Sequence, residues 1–361
     1  MDQKLAYFLL NCVPGISCEK LTALLEYAGS PEELSEIPGS MLSESGVIVS
    51  FAEQAVWDEW RDTDLLKRKY ESMEQKGISY IPRCDDGFPK RLLTLRDCPF
   101  GLFLKGKPVP EDRPSAGIVG ARRCTGYGRE SAHFFGKMLA KAGISVISGM
   151  ALGVDGMAGR GALSADGYTM AVLAGGADVC YPADNIDLYQ ELTVRGGICS
   201  EHPPGYEARA YDFPIRNRII SGLSDVLIVI EAAENSGSMI SVNHALSQGK
   251  DVFALPGRVG DRMSAGCNEL LKNGASVLTC PEDIYQYFGM EVRGETVRRN
   301  RVSLTREEKT VLDLLGGTPV SVDELLLTSR FPVSILTGIL INLEIKGAVK
   351  KSGISGYVRL L

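Results

Sequence analysis

Hydrophobic and polar positions fall into three regimes along the chain. From residue 1 to about 70 the apolar residues recur at helical spacing, in a run from Leu5 to Leu10 and again at Leu21, Leu24 and Leu25. Val13-Pro14-Gly15-Ile16 separates the two stretches. A Pro-Gly pair there fits a DNA-contacting hairpin between helices or an ordinary turn in a small bundle. Ser30-Pro31-Glu32-Glu33 predicts a helix start, with Ser as the cap, Pro in the first turn and acids behind it. Residues 71–113 then read as a connector punctuated by Pro82, Pro89, Pro99, Pro108 and Pro110, with one short strand over Phe100 to Leu104.

From Ser115 short β-branched runs alternate with helical stretches. The pattern predicts strands at Gly117–Val119, Ser145–Ser148, Thr169–Leu173, Gly197–Cys199, Asp225–Ile230, Val252–Leu255 and Ser276–Leu278. Between them it predicts helices at Tyr127–Ala142, Val154–Ala165, Met239–Gln248 and Asn268–Lys272. The run Asp225–Ile230 is almost wholly apolar, as a strand buried on both faces must be. Alternation of this kind implies parallel strands joined by crossover helices, a doubly wound Rossmann-like sheet over residues 114–289.

The third regime follows a linker over 290–302, whose Arg298, Arg299 and Arg301 form a short basic run. Over 303–361, Thr305 caps one helix, Ser321 opens a second and Val333 to Lys346 forms a third. A hairpin over Ala348 to Arg359 closes the unit, and three helices with a hairpin suggest a winged helix. Its cations roughly balance its acids, so protein contact or simple packing is as open to it as DNA contact. The fold class is therefore α/β: an extended, mostly parallel doubly wound sheet. A helical domain of the SAM or helix-hairpin-helix kind (1–70) precedes it and a winged-helix-like domain follows it.

Charge narrows the function. The formal net charge of −6 excludes a uniformly basic nucleic-acid coat, so any DNA contact needs a local cluster of Arg and Lys. The nine cysteines are odd in number and form no C-x-x-C pair, which fits a reducing cytosol rather than a disulfide framework or a zinc ribbon. No stretch approaches the ~20 apolar residues of a membrane helix, so the expectation is a soluble, cytoplasmic protein without a membrane contact. The three histidines, His133, His202 and His244, have no metal-ligand partner by spacing. H-E-x-x-H, G-x-S-x-G and P-loop motifs are missing, and we expect neither a metal, a cofactor nor a catalytic set.

In open parallel sheets ligands bind beyond the carboxyl ends of the strands, and four segments fall there. Gly120-Ala121-Arg122 through Gly126 and Gly128 follows a strand and opens a helix, where glycines admit a phosphate and Arg122 offers a bidentate donor. Its spacing is not G-x-G-x-x-G, and Ser148-Gly149 ends the next strand in place of an acid, so a dinucleotide site is poorly supported. Gly149 through Asp155 is a second Gly-bearing loop, with Asp155 either a helix cap or a functional carboxylate. Phe213 through Gly222 carries Arg216, Asn217 and Arg218; two arginines at i and i+2 do not share a helix face, so one suits a ligand and the other packing. Glu231 through Ser238 ends in Ser236-Gly237-Ser238, either an anion site at a helix start or a plain Ser cap. Leu255-Pro256-Gly257-Arg258 and Ser264 through Asn268 add two loops at the same edge, and several such loops together suit an extended phosphate backbone.

These residues resemble a known family. Val119 through Arg122, Ser148-Gly149 through Asp155, Tyr181-Pro182, Ser200-Glu201, Phe213-Pro214-Ile215-Arg216-Asn217-Arg218, Ser236-Gly237-Ser238 and Leu255-Pro256-Gly257 stand in the order expected of DprA/Smf DNA-processing proteins. The resemblance covers about residues 80 to 280. It implies binding of single-stranded DNA without strong sequence preference, delivery of that DNA to the RecA recombinase during natural transformation, and a homodimer through the Rossmann-like domain. It also implies phosphate contacts at Arg122, Arg216, Arg218 and the Ser236-Gly237-Ser238 turn. Gly159 and Tyr168 stand where the family usually carries His and a cation, and the Tyr168 ring offers a stacking surface instead. Two other readings compete. A nucleotide-processing enzyme of the lonely-guy phosphoribohydrolase kind would need a Pro-Gly-Gly-x-Gly-Thr loop where Pro256-Gly257-Arg258-Val259 stands. A regulator would use the winged helix to read duplex DNA.

Overall fold

The computed structural model describes residues 1–47, 49–290, 304–316, 319–352 and 356–359. Residues 1–289 form one compact unit and residues 290–361 a second. Met290 apart, the linker read over 290–302, with Arg298, Arg299 and Arg301, lies outside the described residues.

Five helices open the first unit: α1 (Gln3–Cys12), α2 (Cys18–Ala28), α3 (Pro31–Glu36), α4 (Phe51–Trp60) and α5 (Thr63–Gln75). Ser30 caps α3 as the sequence predicts, its Oγ accepting the Glu33 N–H at 3.1 Å. Val13 and Ile16 are both buried, while Pro14 and Gly15 at the turn between them are exposed. The helices do not stand apart from the sheet. Phe8 of α1 meets the rings of Tyr80 and Phe103 edge-on at 5.3 and 6.0 Å, which makes one core of the bundle and the sheet's first two strands.

Nine strands form the sheet: β1 (Ile78–Pro82), β2 (Gly101–Gly106), β3 (Ser115–Val119), β4 (Ser145–Ser148), β5 (Thr169–Leu173), β6 (Gly197–Ser200), β7 (Val226–Val229), β8 (Asp251–Ala254) and β9 (Ser276–Val277). Their order is β1-β2-β6-β5-β4-β3-β7-β8-β9. All neighbours from β6 to β9 are parallel, while β2 runs antiparallel to β6 and to β1. The stretch 71–113, read as a connector, thus supplies two strands.

Side chains alternate along the strands, so each strand feeds two layers. Ala171 and Leu173 face the core shared with α7 (Val154–Ser164) and α8 (Ile186–Arg195), beside which lies α6 (Gly126–Lys141). Met170 and Val172 face the opposite core, built with α9 (Asp212–Leu223), α10 (Ser238–Ser247) and α11 (Ala265–Lys272). A short α12 (Pro281–Tyr287) touches α6. The winding starts at β3, proceeds through β4, β5 and β6 on one side, then jumps back to β7 on the other. The β3/β7 boundary is therefore the point where a ligand crevice opens in such sheets.

The second unit holds α13 (Arg306–Leu314), β10 (Val320–Ser321), α14 (Val322–Ser329), α15 (Val333–Ile345), β11 (Val349–Ser352) and β12 (Gly356–Arg359), with strand order β10-β12-β11. This is the winged helix the sequence predicts. Thr305 and Glu308 form a capping box at α13, and Glu308 also takes Lys346 at 2.7 Å, which ties α13 to the end of α15. Leu336, Ile339, Leu340 and Leu343 of α15 face the core. The wing tip, residues 353–355, lies outside the described residues. Among the described residues no single helix is long and apolar enough to cross a membrane.

Candidate nucleic-acid interface

The loops beyond the carboxyl ends of the strands are bonded to one another. The Val154 N–H donates to Ala121 O at 3.3 Å, joining the β4 and β3 loops. The Ala121 N–H donates to Glu231 O at 2.7 Å, joining the β3 and β7 loops. The Gly266 N–H donates to Ala232 O at 2.8 Å, tying the β7 loop to α11. Four loops of weak individual signal thus form one continuous rim.

At the switch point the space is already filled. Glu231, buried at the end of β7, turns its carboxylate onto the start of α6. One oxygen accepts the Thr125 N–H at 2.8 Å, and the other accepts the Thr125 hydroxyl at 2.6 Å. Thr125 in turn accepts the Gly128 N–H at 3.2 Å. A helix start attracts anions through unpaired N–H groups and the positive end of its dipole, and here the chain's own carboxylate supplies the anion. Gly128 has to be glycine because a Cβ there would run into the Glu231 carboxylate. Of the N–H groups around Gly120, Gly126 and Gly128 expected to receive a phosphate, that of Gly128 is taken by Thr125, as the Thr125 N–H is by Glu231. Gly120 lies against Val154 and the Glu231 main chain, and Gly126 faces open space.

The cations gather one step along the rim, where α9 meets the loops after β3, β4 and β5. Arg216 is only 6% exposed. Its Nη1 donates to Gly149 O at 3.0 Å and to Val172 O, and its Nε donates to Asn217 Oδ1 at 3.2 Å. Burial draws its guanidinium down to about 10, Asp155 draws it back up, and Arg122 adds repulsion. Asp155 caps no helix. Its carboxylate folds back to accept the Gly149 N–H at 3.0 Å, with burial pushing its pKa up and Arg216 opposing that. Gly149 fits because a Cβ would sit 2.7 Å from both Arg216 Nη2 and Asp155 Oδ2. Next to it, buried Met150 holds a left-handed φ of 54°, rare for a side chain of its size.

Arg122 is exposed and stands 5.1 Å over the Phe213 ring, which Arg216 approaches at 5.9 Å. No carboxylate pairs with Arg122 among the described residues. Phe213 meets Tyr181 at 5.4 Å, and Tyr181 is 53% exposed. Together with Gly149 and Pro182 these side chains line a shallow pocket of about 50 Å³, far below the roughly 300–1,000 Å³ of pockets that enclose small molecules. Two like charges and two aromatic faces at an open pocket suit a ligand that brings a phosphate and a flat ring while the rest of it stays outside.

The other candidates sit elsewhere. Arg218 is 3% exposed and points inward, its Nε 2.8 Å from Asp97 and its Nη2 2.7 Å from Glu201. Its place is an interior ion pair rather than a phosphate contact, so of the two arginines at i and i+2 one lines the pocket and the other anchors packing. Asn217 accepts the Arg216 Nε–H through its Oδ1. Ser236 and Ser238 bond each other at 2.8 Å beside exposed Gly237, and neither caps α10. Tyr168 precedes β5, at the sheet edge opposite the pocket, and its hydroxyl donates to Lys107 O at 2.9 Å; it presents no stacking face to the rim. Gly159 lies in α7 against Leu188. Sequence reasoning overlooked the anion role of Glu231 and the ring role of Tyr181, although both stood within motifs it quoted. It also overlooked Arg209, exposed beside the pocket-lining Ala208 and donating to Tyr211 Oη at 3.0 Å. No cluster of His, Cys, Asp and Glu suited to a metal occurs among the described residues.

Residues 79–289 match the model for DNA recombination-mediator protein A, and residues 298–353 match the DprA winged helix domain. The chain belongs to the DprA/Smf family of DNA-processing proteins. It is 34% identical to Protein Smf of Escherichia coli over 296 residues, 80% of this chain and 79% of that protein. The solved DprA of Streptococcus pneumoniae superposes with a TM-score of 0.68 at 30% identity, over 78% of this chain and 97% of that one. DNA processing protein A from Helicobacter pylori, solved in a study of its single-stranded DNA binding mode, gives a TM-score of 0.54 at 33% identity, over 58% of this chain and 95% of that one. Of the residues that carry the resemblance, Arg122, Gly149 and Phe213 line the pocket, while Arg218 and Glu201 form an ion pair with each other.

Proposed function

We propose that this chain is a cytoplasmic, non-enzymatic recombination mediator that binds single-stranded DNA at the Arg122–Phe213 pocket and passes it to the RecA recombinase during DNA uptake. The observation that carries the reading is the exposed Arg122 guanidinium, which forms no ion pair among the described residues and stands over Phe213 beside the open Tyr181 ring. A phosphate there relieves the repulsion between Arg122 and Arg216, while a base gains roughly 1–3 kcal/mol from an aromatic face. Neither contact reads sequence. The shallow pocket and the carboxylate at the switch point both speak against an enclosed nucleotide, and so against hydrolysis of one. The winged helix is a poor duplex reader: exposed Val333, Ile335, Ile341 and Ile345 line α15, which has no Lys or Arg. A homodimer through the Rossmann-like unit has a candidate surface in β9, the last strand of the sheet, where Val277 is 53% exposed and no further strand pairs among the described residues.

The test is fluorescence anisotropy of a labelled single-stranded oligonucleotide at two salt concentrations, comparing wild type with Arg122→Ala. Arg122→Ala should lower affinity about tenfold and flatten the dependence of log K on log salt by about 0.7. Unchanged binding by Arg122→Ala removes the pocket from the reading, and release of free base from a nucleoside monophosphate by the wild type replaces the reading with the enzyme.

A further inference from the structure

We propose that the DNA-binding surface continues from the Phe213 pocket across the switch point to the loop after β8, where Arg258, Val259 and Arg262 hold a second stretch of the same strand. This rests on the reading of the pocket given above. The two places are neighbours by construction. Only β7 lies between β3 and β8, so their loops are about 10 Å apart at the level of the sheet. Tyr127, in the first turn of α6, donates its hydroxyl to Pro256 O at 3.4 Å and bridges the two loops directly.

The second loop is held ready for contact. At its base the Asn268 side chain clamps Gly257 from both sides, accepting its N–H at 3.2 Å and donating to its carbonyl at 3.1 Å. Two successive turns follow, with the Asp261 N–H donating to Arg258 O at 3.2 Å and the Ser264 N–H donating to Asp261 O at 3.0 Å. These turns lift Arg258 and Arg262 into solvent, and neither forms an ion pair among the described residues. Between them Val259 is 99% exposed. A β-branched apolar side chain fully in water on a fixed loop gains by covering a flat apolar surface, and an unpaired base is one. Two phosphate donors flanking an apolar tip match a single strand better than a duplex, whose bases are stacked away from such a tip. Asp261 leaves the loop with one net positive charge, so its attraction for the strand is local and adds to that of Arg122 and Arg123 on the adjacent loop.

The experiment compares wild type, R258A/R262A and R258K/R262K with oligothymidylates of about 4 and about 16 nucleotides, spanning the range of single-strand site sizes. The loop is exposed, so the variants should unfold at the wild-type temperature. R258A/R262A should bind the short strand within about twofold of wild type, because the pocket alone holds it. On the long strand it should lose about tenfold at low salt, and its salt slope should fall by about 1.4, two phosphates at about 0.7 each. R258K/R262K keeps the charges and should keep the slope. Equal affinity and slope for R258A/R262A and wild type on the long strand overturns the second contact. If at the same time Arg122→Ala weakens both strands, the pocket stands without it. Wild type that binds neither strand overturns both.

Discussion

The carboxylate of Glu231 does the work that a nucleotide phosphate does in many sheets of this topology, and replacing it tests that claim directly. In Glu231→Ala the Thr125 N–H and hydroxyl lose acceptors at 2.8 and 2.6 Å. A hydrogen bond to a charged group contributes about 1.5–3 kcal/mol, and a charge at a helix start adds about 0.3–2 kcal/mol. Water recovers part of this at a site that is only partly enclosed, so the net loss should be about 3–4 kcal/mol. For a unit of this size that lowers Tm by about 5–7 °C. Glu231→Gln keeps the shape and one acceptor but no charge, and should lose about 1–2 kcal/mol. Thermal unfolding with and without orthophosphate is the assay. Phosphate should raise the Tm of Glu231→Ala by more than it raises that of wild type, because in the variant it refills the vacated anion position as well as meeting Arg122. The Arg122 loop is held by Thr125 and Glu231, so Glu231→Ala should also weaken single-strand binding, and phosphate should not restore that, since it competes with the strand. Wild-type stability in both variants, or an equal gain from phosphate in wild type, refutes the reasoning.

Three further outcomes follow from burial and charge. Arg218→Met leaves Glu201 enclosed without its cation; removing one partner of a buried pair costs about 3–5 kcal/mol, reduced here to about 2–4 because Asp97 is largely exposed. Calorimetry should register that loss while the folded protein keeps near-wild-type affinity for single strands, and a stable variant that no longer binds would move Arg218 to the DNA. His202 stacks on Tyr206 at 4.1 Å, and burial holds its imidazole below the ordinary 6.5, against the pull of Glu201 and Asp212 and with help from Arg218. The unfolded chain therefore takes up the proton first as pH falls below 6.5, stability declines through that window, and His202→Asn should show a shallower fall of Tm between about pH 8 and pH 5. A slope identical to wild type would mean that the folded imidazole titrates normally. Val277→Glu places a charge on the exposed edge of β9 and should halve the mass measured by light scattering, whereas an unchanged mass would direct the search for a dimer interface elsewhere.

Much of the fold is legible in local pattern. β4 and β5 are read to the residue, because Ser145–Ser148 and Thr169–Leu173 are short apolar runs between glycines and helices. The pattern gives no sign of β1. Its alternating Ile78-Ser79-Tyr80-Ile81 lies in a Pro-rich stretch, and it becomes a strand through pairing with β2 and the packing of Tyr80 on Phe8 and Phe103. Helix α8 is missed although Leu188, Tyr189 and Leu192 of Ile186–Arg195 share one buried face at helical spacing. At the rim, residue type marks the right loops, while the role of each side chain depends on partners far away in sequence. Arg218 meets Asp97, Arg216 meets Gly149 and Val172, and Thr125 meets Glu231, pairings that no spacing rule predicts.

That distribution of partners explains how an acidic chain presents a basic surface. Arg216 and Arg218 occupy one short motif, and by charge alone they are equivalent. Burial separates them: Arg218 is matched by two carboxylates, whereas Arg216 spends its donors on main-chain carbonyls and keeps its charge, only partly offset by Asp155. Its charge then adds to that of exposed Arg122 across the Phe213 ring. A buried cation raises potential at the surface more than an exposed one of the same charge, because little water lies in between to screen it. The rim therefore needs few arginines to attract a phosphate backbone, and the net charge of −6 can reside elsewhere. By the same logic Arg216→Met should weaken single-strand binding more than Arg123→Ala, although Arg216 itself offers little surface to the strand. The reverse order in an anisotropy titration would mean that direct contact, rather than the field of the buried charge, holds the DNA.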